Sequence, residues 1–379
     1  MAIQPFTIAI PQSTLDDLHD RLARTRWPEA DADAGWDYGT SLNYLHDLVD
    51  YWQHSYDWRT HEVRLNTFAQ FKADIDDVHI HFIHERGKGP NATPILLSHG
   101  WPDSFDRFHK IIPMLTDPEA YGGTADDAFD VIVPSIPGFG FSDRTPMPSS
   151  AVANLWAKLM SELGYTSYVA AGGDMGTRIT KALALQHPDV VMAIHLTDVD
   201  YPTGQEDPST LSEAEQEFAR FIQGWWFREG AYAMLQSTKP QSLSFALSDS
   251  PVGLASWFVS FINTGAENHQ IDEAFGGRDN LLTNMTIYWA TQTAGSAARV
   301  YLEDAQAAYT QQGEPERSNV PAAVAVFPRE AQTPREWAER TLNVQRFTKM
   351  PRGGHFAPLE EPELLVKDIR AFVADVRKG

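Results

Sequence analysis

Asp174 lies in a segment whose glycine spacing is typical of a catalytic nucleophile. Residues 168–177 read YVAAGGDMGT, an apolar run that leads into GGDMG and then into a helical pattern. This is a Gly-x-nucleophile-x-Gly turn between a strand and a helix, in which flanking side chains would clash. An aspartate of ordinary pKa, ~3.9, is ionised at pH 7 and can form an ester by displacing an alkyl leaving group. The same residues also fit a plain turn between a strand and a helix with an N-cap aspartate. The choice between a catalytic and a structural aspartate therefore depends on the other motifs in the sequence.

A base and an orienting acid are expected on loops near the C-terminus. Residues 352–357 read RGGHFA after the last strand-like run, so His355 is the preferred base among 13 histidines. Glu330, in AAVAVFPRE, follows another strand-like run 25 residues earlier and could accept a hydrogen bond from the imidazole. Asp198 and Asp200, which follow an earlier strand, remain competitors for the role of Glu330.

An oxyanion site is predicted where a buried strand ends in HGWP, within residues 95–102. In folds that carry a nucleophile on such a strand–helix turn, the loop after a neighbouring strand donates one backbone N–H to the oxyanion, and the residue after the nucleophile donates another. These donors are assigned to Trp101 and Met175. His99, at the strand end, is expected to hold the loop in shape and not to act as a base.

The pattern of hydrophobic residues predicts an α/β protein with a mostly parallel sheet covered by helices. Strands are expected at 63–71, 78–84, 95–98, 129–133, 168–171, 191–196, 322–327 and 344–350. The first two are close enough to pair antiparallel. Residues 1 to about 60 look helical, with a capping box at Ser13 and Asp16 and a second helix after Ser41. The aromatic, helix-patterned stretch 199–315 interrupts the alternation, as an inserted helical cap would.

Composition excludes several classes of function. The chain has 379 residues, a net charge of −21 and no cysteine, which argues against nucleic-acid binding and excludes thiolate chemistry. No signal peptide or transmembrane run is visible, so a soluble, cytoplasmic protein without membrane insertion is expected. His79, His81 and His84 are poorly spaced for a metal site, because only the first two share a strand face.

Taken together, the motifs resemble those of the microsomal-type epoxide hydrolases, including bacterial and fungal relatives and the juvenile-hormone epoxide hydrolases. The resemblance covers nearly the whole chain. It rests on PFTIAIPQSTLDDLHDRLARTRWP, WRTHEVRLNTFAQF, HGWP, IPGFGFSD, GGDMG, QSTKP, DSPVGLASW, YWATQT, FPRE and RGGHFAPLEEPELL.

The resemblance implies an α/β-hydrolase fold and an Asp–His–Glu triad of Asp174, His355 and Glu330. It also implies two cap tyrosines that hydrogen-bond an epoxide oxygen, placed at Tyr232 and Tyr301. The expected units are an N-terminal segment (1–90), a core in two parts (91–198 and 316–379) and a cap (199–315). Trp101, Pro102 and Phe356 are expected to contact the substrate.

The expected substrates are a hydrophobic epoxide and water, with no cofactor and no metal, and the protein could form a homo-oligomer. Two positions depart from the family pattern: Met175 stands where many relatives carry Trp, and Asp103 where Gly is usual. Met175 should alter pocket shape but not the backbone donor, and Asp103 should place negative charge near the entrance.

Two alternatives remain open at this point. A haloalkane or haloacid dehalogenase would use the same Asp nucleophile, although such enzymes often carry a halide-binding Trp where this chain has Met175. A non-catalytic binding protein of the same fold is the other alternative, and the complete set of catalytic positions argues against it.

Overall fold

A single mixed sheet forms the centre of the computed structural model, which describes residues 3–310 and 316–378. Residues 311–315, at the end of the predicted cap, lie outside the described residues, as do residues 1, 2 and 379. Nine strands of the described residues belong to this sheet. They are β1 (Gln4–Phe6), β2 (Gln70–Ile75), β3 (Val78–Glu85), β4 (Thr93–Ser98), β5 (Phe129–Pro134), β6 (Tyr168–Gly172), β7 (Val191–Leu196), β8 (Pro321–Val326) and β9 (Asn343–Lys349).

The strand order across the sheet is β1-β2-β3-β5-β4-β6-β7-β8-β9. The pairs β1–β2, β2–β3 and β3–β5 are antiparallel, and all pairs from β5 through β4 to β9 are parallel. Strands β5 and β6 are buried along their whole length, as expected of parallel strands with helices on both faces. The carboxyl ends of the parallel strands therefore meet at one edge, where the loops after β4, β6, β8 and β9 lie together.

Helices cover both faces of the sheet and fill the interval between β7 and β8. Those before or among the early strands are α1 (Gln12–Ala23), α2 (Leu42–His54), α3 (Trp58–Leu65), α4 (Ile111–Thr116), α5 (Ser149–Glu162) and α6 (Met175–Gln186). Between β7 and β8 lie α7 (Glu213–Glu229), α8 (Ala231–Thr238), α9 (Pro240–Asp249), α10 (Pro251–Gly265), α11 (Ile271–Ala274), α12 (Arg278–Thr291) and α13 (Ala294–Thr310). The last three are α14 (Arg335–Glu339), α15 (Ala357–Glu360) and α16 (Pro362–Val376).

Seven of the eight expected strands occur where the sequence predicts them, and the strand at 63–71 is wrong. Residues 58–65 form α3, which Asp57 caps by accepting a hydrogen bond from the Arg59 amide, and β2 begins only at Gln70. Leu65 is fully buried whereas Val63 is 70% exposed. The apolar residues of this segment thus follow a helical face and do not alternate.

The N-terminal helices are present, but their caps differ from expectation. Helix α1 begins at Gln12 without a side-chain cap, so the capping box at Ser13 and Asp16 is wrong. The Pro11 carbonyl accepts from the amides of Thr14 and Leu15 and starts the helix. The second helix does follow Ser41, whose hydroxyl accepts a hydrogen bond from the Tyr44 amide.

The N-terminal segment packs against the helices between β7 and β8. Trp52 Nε1 donates to Thr286 Oγ1 over 3.2 Å, and the hydroxyls of Tyr56 and Thr283 are 3.0 Å apart. Because β7 and β8 are paired neighbours in the sheet, helices α7–α13 are an insertion between adjacent strands. The exact unit boundaries stay predictions. Among the described residues, no helix combines the length and hydropathy needed to cross a membrane.

Candidate active site

Asp174 occupies the corner between β6 and α6. Its backbone has φ 60° and ψ −125°, a conformation that few side chains tolerate. The turn depends on close approach at Gly176, where a Cβ atom would lie 2.0 Å from the Ser98 carbonyl oxygen. The glycine spacing therefore produces the sharp turn expected from the sequence, with Asp174 at the N-terminus of a helix, where negative charge is favoured.

Two backbone amides hold one oxygen of the Asp174 carboxylate. Trp101 N donates to Oδ1 over 3.0 Å and Met175 N donates to the same oxygen over 2.7 Å. Gly100 leaves room for this approach, since a Cβ atom there would lie 2.4 Å from Oδ1. The two amides assigned to an oxyanion site thus converge on one atom and leave Oδ2 to face the opposite side.

Burial raises the pKa of Asp174, while the His355 charge and the amides of Trp101 and Met175 lower it in part. The expectation of an ordinary pKa for this group is therefore wrong, because the carboxylate lies in a largely enclosed site. Its side chain still has 14% of its surface exposed, so it borders accessible space.

His355 and Glu330 are brought together by the loops after β9 and β8. His355 Nδ1 and Glu330 Oε1 form a short hydrogen bond, and both residues are buried. Burial lowers the pKa of His355, but the charge of Glu330 and its hydrogen bond, with Asp174, raise it to about 9. The His355 loop can approach because Gly354 lies against the Gly265 carbonyl, 2.3 Å from where a Cβ atom would be.

The second imidazole nitrogen points at Asp174, the predicted nucleophile. His355 Nε2 lies 3.7 Å from Asp174 Oδ2, the oxygen that the amides do not hold. Nε2 is buried and makes no hydrogen bond to any group within residues 3–310 and 316–378. The imidazole is thus anchored at one nitrogen and free to exchange a proton at the other.

Tyr232 and Tyr301 approach the same site from α8 and α13. The Tyr232 ring stacks on Trp101, with centroids 5.2 Å apart, and the Tyr301 ring meets Trp101 edge-on at 5.9 Å. Burial and the Asp174 charge raise the pKa of both phenols well above its usual value, so both hydroxyls stay protonated. Spacing alone could not select these two among 12 tyrosines.

Phe356 and Pro102 are buried beside the predicted triad. The Phe356 ring lies edge-on to the His355 ring, with centroids 5.0 Å apart. The Pro102 carbonyl accepts a hydrogen bond from Asn284 of α12. Contact of either residue, or of Trp101, with a substrate stays a prediction.

The competing acids have other partners. Asp198 Oδ2 accepts the Asp174 backbone amide over 2.6 Å, and its Oδ1 accepts from the Thr177 hydroxyl. Asp200 pairs with Lys181. Burial, with the nearby Glu330 charge, raises the pKa of Asp198 to about 7. Asp198 thus holds the backbone of Asp174, a contact that sequence reasoning missed because this carboxylate was considered only as a partner for histidine.

Asp103 does not lie at an entrance, contrary to the expectation from the sequence. Its side chain is 1% exposed and pairs with Arg107, which follows four residues later. The charge is therefore compensated inside the protein. Sequence reasoning also missed Phe261 of α10, whose ring packs on Tyr232 and on His355. An apolar residue in an aromatic-rich helix carries no local signal of such a position.

His99 and His81 make buried hydrogen bonds within the core of the protein. His99 Nε2 accepts from the Ile136 amide over 3.1 Å, and burial lowers the pKa of His99 to about 4. His81 is buried between Ser135 and Gln70. Within the described ranges, no three His, Cys, Asp or Glu side chains are grouped to hold a metal ion.

Comparison with known proteins places these features in a family. Residues 3–108 match the model described as the epoxide hydrolase N terminus, and residues 93–362 match that of the alpha/beta hydrolase fold. A protein of Stigmatella aurantiaca (strain DW4/3-1), whose name classes it with the epoxide hydrolases, is 43% identical, covering 99% of this chain and 86% of that protein. Epoxide hydrolase 1 of Sus scrofa is 35% identical, covering 98% and 88%.

Solved structures agree with the sequence matches. The structure of Aspergillus niger epoxide hydrolase superposes with a TM-score of 0.85 at 29% identity, covering 99% of this chain and 97% of that one. The glycine-flanked aspartate, the imidazole opposite it and the helical insertion thus occur in a chain that matches epoxide hydrolases from end to end. The chain belongs to the epoxide hydrolases of the alpha/beta hydrolase fold.

Proposed function

We propose that the protein hydrolyses hydrophobic epoxides to vicinal diols through a covalent ester on Asp174. The observation that carries the proposal is the division of labour between the two carboxylate oxygens. Oδ1 is held by two backbone amides, while Oδ2 faces the imidazole of His355. The His355 charge and the two amides favour the ionised form of Asp174 against its burial. A carboxylate needs no base to attack, so the imidazole is available for a later step.

In the first step, Asp174 Oδ2 attacks one carbon of the epoxide and the carbon–oxygen bond of the ring breaks. The epoxide oxygen leaves with the electron pair and takes a proton from Tyr232 or Tyr301. Both phenols are protonated in the enclosed site and lie on the cap side of the nucleophile. Proton donation to the leaving oxygen lowers the barrier to ring opening.

In the second step, His355 Nε2 takes a proton from water, which attacks Cγ of the Asp174 ester. The negative charge that develops on Oδ1 is stabilised by the amides of Trp101 and Met175. Cγ–Oδ2 then breaks as the imidazolium returns its proton to Oδ2, and the diol leaves with that oxygen. The proton of the new carboxylic acid group goes to the tyrosinate formed in the first step, so the carboxylate, the imidazole and both phenols are restored. Glu330 orients the imidazole and stabilises its charged form.

The substrate is proposed to be largely apolar near the epoxide ring. The rings of Trp101, Tyr232, Tyr301 and Phe261 surround the site, and each stacks on or meets another ring at its edge. Such a lining favours an aliphatic or aromatic epoxide over a charged one. A homo-oligomer and a cytoplasmic location stay predictions.

A single turnover in ¹⁸O-labelled water tests the mechanism with an aryl epoxide such as styrene oxide. The first diol should carry no label from water, and the label should appear in the peptide that contains Asp174. Asp174→Asn should form neither ester nor diol. Labelled diol in the first turnover, or undiminished diol formation by Asp174→Asn, would refute the assignment.

The dehalogenase alternative is measured in parallel on a panel of haloalkanes. We expect no halide release above background, because Met175 offers no side-chain N–H beside the nucleophile. Halide release at a rate that matches or exceeds diol formation would replace the epoxide assignment with the dehalogenase one.

A further inference from the structure

Asp103 and Arg107 form a buried ion pair next to the loop that carries the Trp101 amide. Asp103 Oδ2 lies 2.6 Å from Arg107 Nη1, and both side chains are 1% exposed. Asp103 Oδ1 accepts a hydrogen bond of 3.0 Å from the Gly100 amide, and Arg107 Nη2 donates over 2.7 Å to the His355 carbonyl. Two charges therefore join the loop that carries an oxyanion donor to the loop that carries the base.

Stability alone is a weak reason for two charges at this position. Removing both ions from water costs about as much as their attraction returns, and apolar residues of similar volume often stabilise a protein as well. What apolar residues cannot do is accept from one backbone amide and donate to a distant backbone carbonyl. The contacts of Asp103 and Arg107 do both, which points to control of loop geometry.

The other contacts of the oxyanion loop act on different atoms. On α12, the Asn284 side chain donates to the Pro102 carbonyl and the Tyr288 hydroxyl donates to the Asp103 carbonyl, each over 2.7 Å. These contacts fix two carbonyl groups from the cap side. The Gly100 amide, whose peptide precedes the Trp101 N–H, is held by the Asp103 side chain.

We propose that Asp103 and Arg107 are positioning residues for hydrolysis of the ester, keeping the Trp101 amide and the His355 imidazole aligned on Asp174. The proposal rests on the proposed function, because it concerns the second step of that reaction. Two distances describe this alignment. Trp101 N lies 3.0 Å from Asp174 Oδ1, and His355 Nε2 lies 3.7 Å from Asp174 Oδ2. Displacements of about 1 Å in such an arrangement can cost about 100-fold in rate.

The electrostatic influence of the pair falls on the same groups. The Arg107 charge lowers the pKa of both His355 and Glu330, and the Asp103 charge raises that of Asp174. Loss of Arg107 should therefore raise the pKa of the base. The pH dependence of ester hydrolysis then reports on the pair independently of its contribution to folding.

Two variants separate positioning from stability. Asp103→Asn with Arg107→Gln removes both charges together, so that neither is left unpaired, and glutamine is too short to reach the His355 carbonyl. Arg107→Lys retains the charge next to Asp103 but replaces the planar fork with a single ammonium group, which cannot make both contacts. For both variants we expect ring opening within about threefold of the parent protein and ester hydrolysis slowed by about 10- to 100-fold.

The measurement is a single turnover followed by rapid quenching and mass analysis of the Asp174 peptide. The ester should accumulate in both variants, and in the double variant the acid limb of its decay should move to higher pH. Arg64→Lys is the matched control, because Arg64 makes a two-pronged ion pair with Asp106 one residue before Arg107. The melting temperature of Arg64→Lys should fall, whereas the rate of ester decay and its pH profile should stay unchanged.

Decay of the ester at the parent rate in both variants, or equal slowing of ring opening and decay, would overturn the proposal and leave a structural pair. Failure of the proposed function has a different signature. In that case no ester forms in the parent protein itself, whatever residues stand at 103 and 107.

Discussion

At the level of single residues, the two oxygens of the Asp174 carboxylate have different partners. Oδ1 takes hydrogen bonds of 3.0 and 2.7 Å from two backbone amides, and Oδ2 lies 3.7 Å from the imidazole. Asp198 also binds the Asp174 amide. In the proposed mechanism these same two amides stabilise the oxyanion of ester hydrolysis, and donors held in place in this way need little rearrangement.

The cap tyrosines should affect ring opening alone. Tyr232→Phe and Tyr301→Phe should each slow ester formation by about 10- to 100-fold, and the double variant by more, since a positioned acid contributes about 10²–10⁴ in rate. Decay of the ester should stay unchanged. Tyr168→Phe is the control, because this buried hydroxyl has no hydrogen-bond partner among residues 3–310 and 316–378. Parent-like ester formation in the double variant would remove the phenols from the mechanism.

Glu330→Gln should change both the maximum rate and the pH profile of ester hydrolysis. The Glu330 charge raises the pKa of His355, which burial alone would lower. Without that charge the neutral imidazole persists to lower pH, so the acid limb of the rate should shift downward. The maximum rate should also fall, because a glutamine stabilises the imidazolium less well. Single-turnover decay measured between about pH 5 and 10 checks this, and an unshifted limb would contradict it.

At the level of elements, the predicted site is assembled from loops at the carboxyl edge of the sheet and from helices above it. The loops after β4, β6, β8 and β9 supply the amide, nucleophile, acid and base, while α8 and α13 supply the phenols. The N-terminal helices pack against α10 and α12. The N-terminal segment thus supports the insertion that carries Tyr232 and Tyr301.

A cavity in α2 should therefore destabilise the protein. Leu48 is fully buried, and Leu48→Ala should lower the free energy of unfolding by about 2–5 kcal/mol. Val63→Ala is the control, because Val63 is 70% exposed and should change it by less than about 0.5 kcal/mol. Urea unfolding of both variants measures the difference, and equal effects would show that α2 adds little to the folded core.

At the level of the whole molecule, a buried carboxylate joins distant parts of the fold. Asp368 of α16 accepts from His195 of β7 over 2.9 Å and from Arg346 and Thr348 of β9 over 2.7 and 2.8 Å. Burial raises the pKa of Asp368, but these partners lower it, to about 2. The last helix is thereby fixed to two strands on the far side of the sheet from the N-terminus.

The contribution of Asp368 to stability should depend on pH in a defined direction. Its pKa is lower in the folded than in the unfolded chain, so the contribution is complete above about pH 5 and is lost as pH falls towards 2. Asp368→Asn should cost about 2 kcal/mol of unfolding free energy at pH 7, and less at pH 3. Asp375→Asn, on the same helix and 69% exposed, should cost nothing measurable at either pH. A pH-independent loss at position 368 would contradict the ion pairing.

Local patterns were enough to select Asp174, the Trp101 loop, His355 and Glu330 as candidate residues, and the folded chain brings these four together. Their signals are short: glycines around Asp174, HGWP after a buried run, and His355 and Glu330 after later strands. Strand positions also follow from composition, because parallel strands buried on both faces are continuous apolar runs. The strand prediction at 63–71 was wrong because the first apolar residues of this segment belong to a helix and only the last ones to a strand. Periodicity over so few residues does not distinguish the two.

Other features depend on contacts between residues far apart in the chain, which leave no local pattern. Asp103 is neutralised inside the protein by Arg107, whose second contact lies 248 residues away at His355. Asp198 serves the Asp174 amide, although in the sequence it looks like a second acid for the histidine. A carboxylate's role is set by which donors surround it after folding, and those donors are brought together only when the strands and the cap have packed.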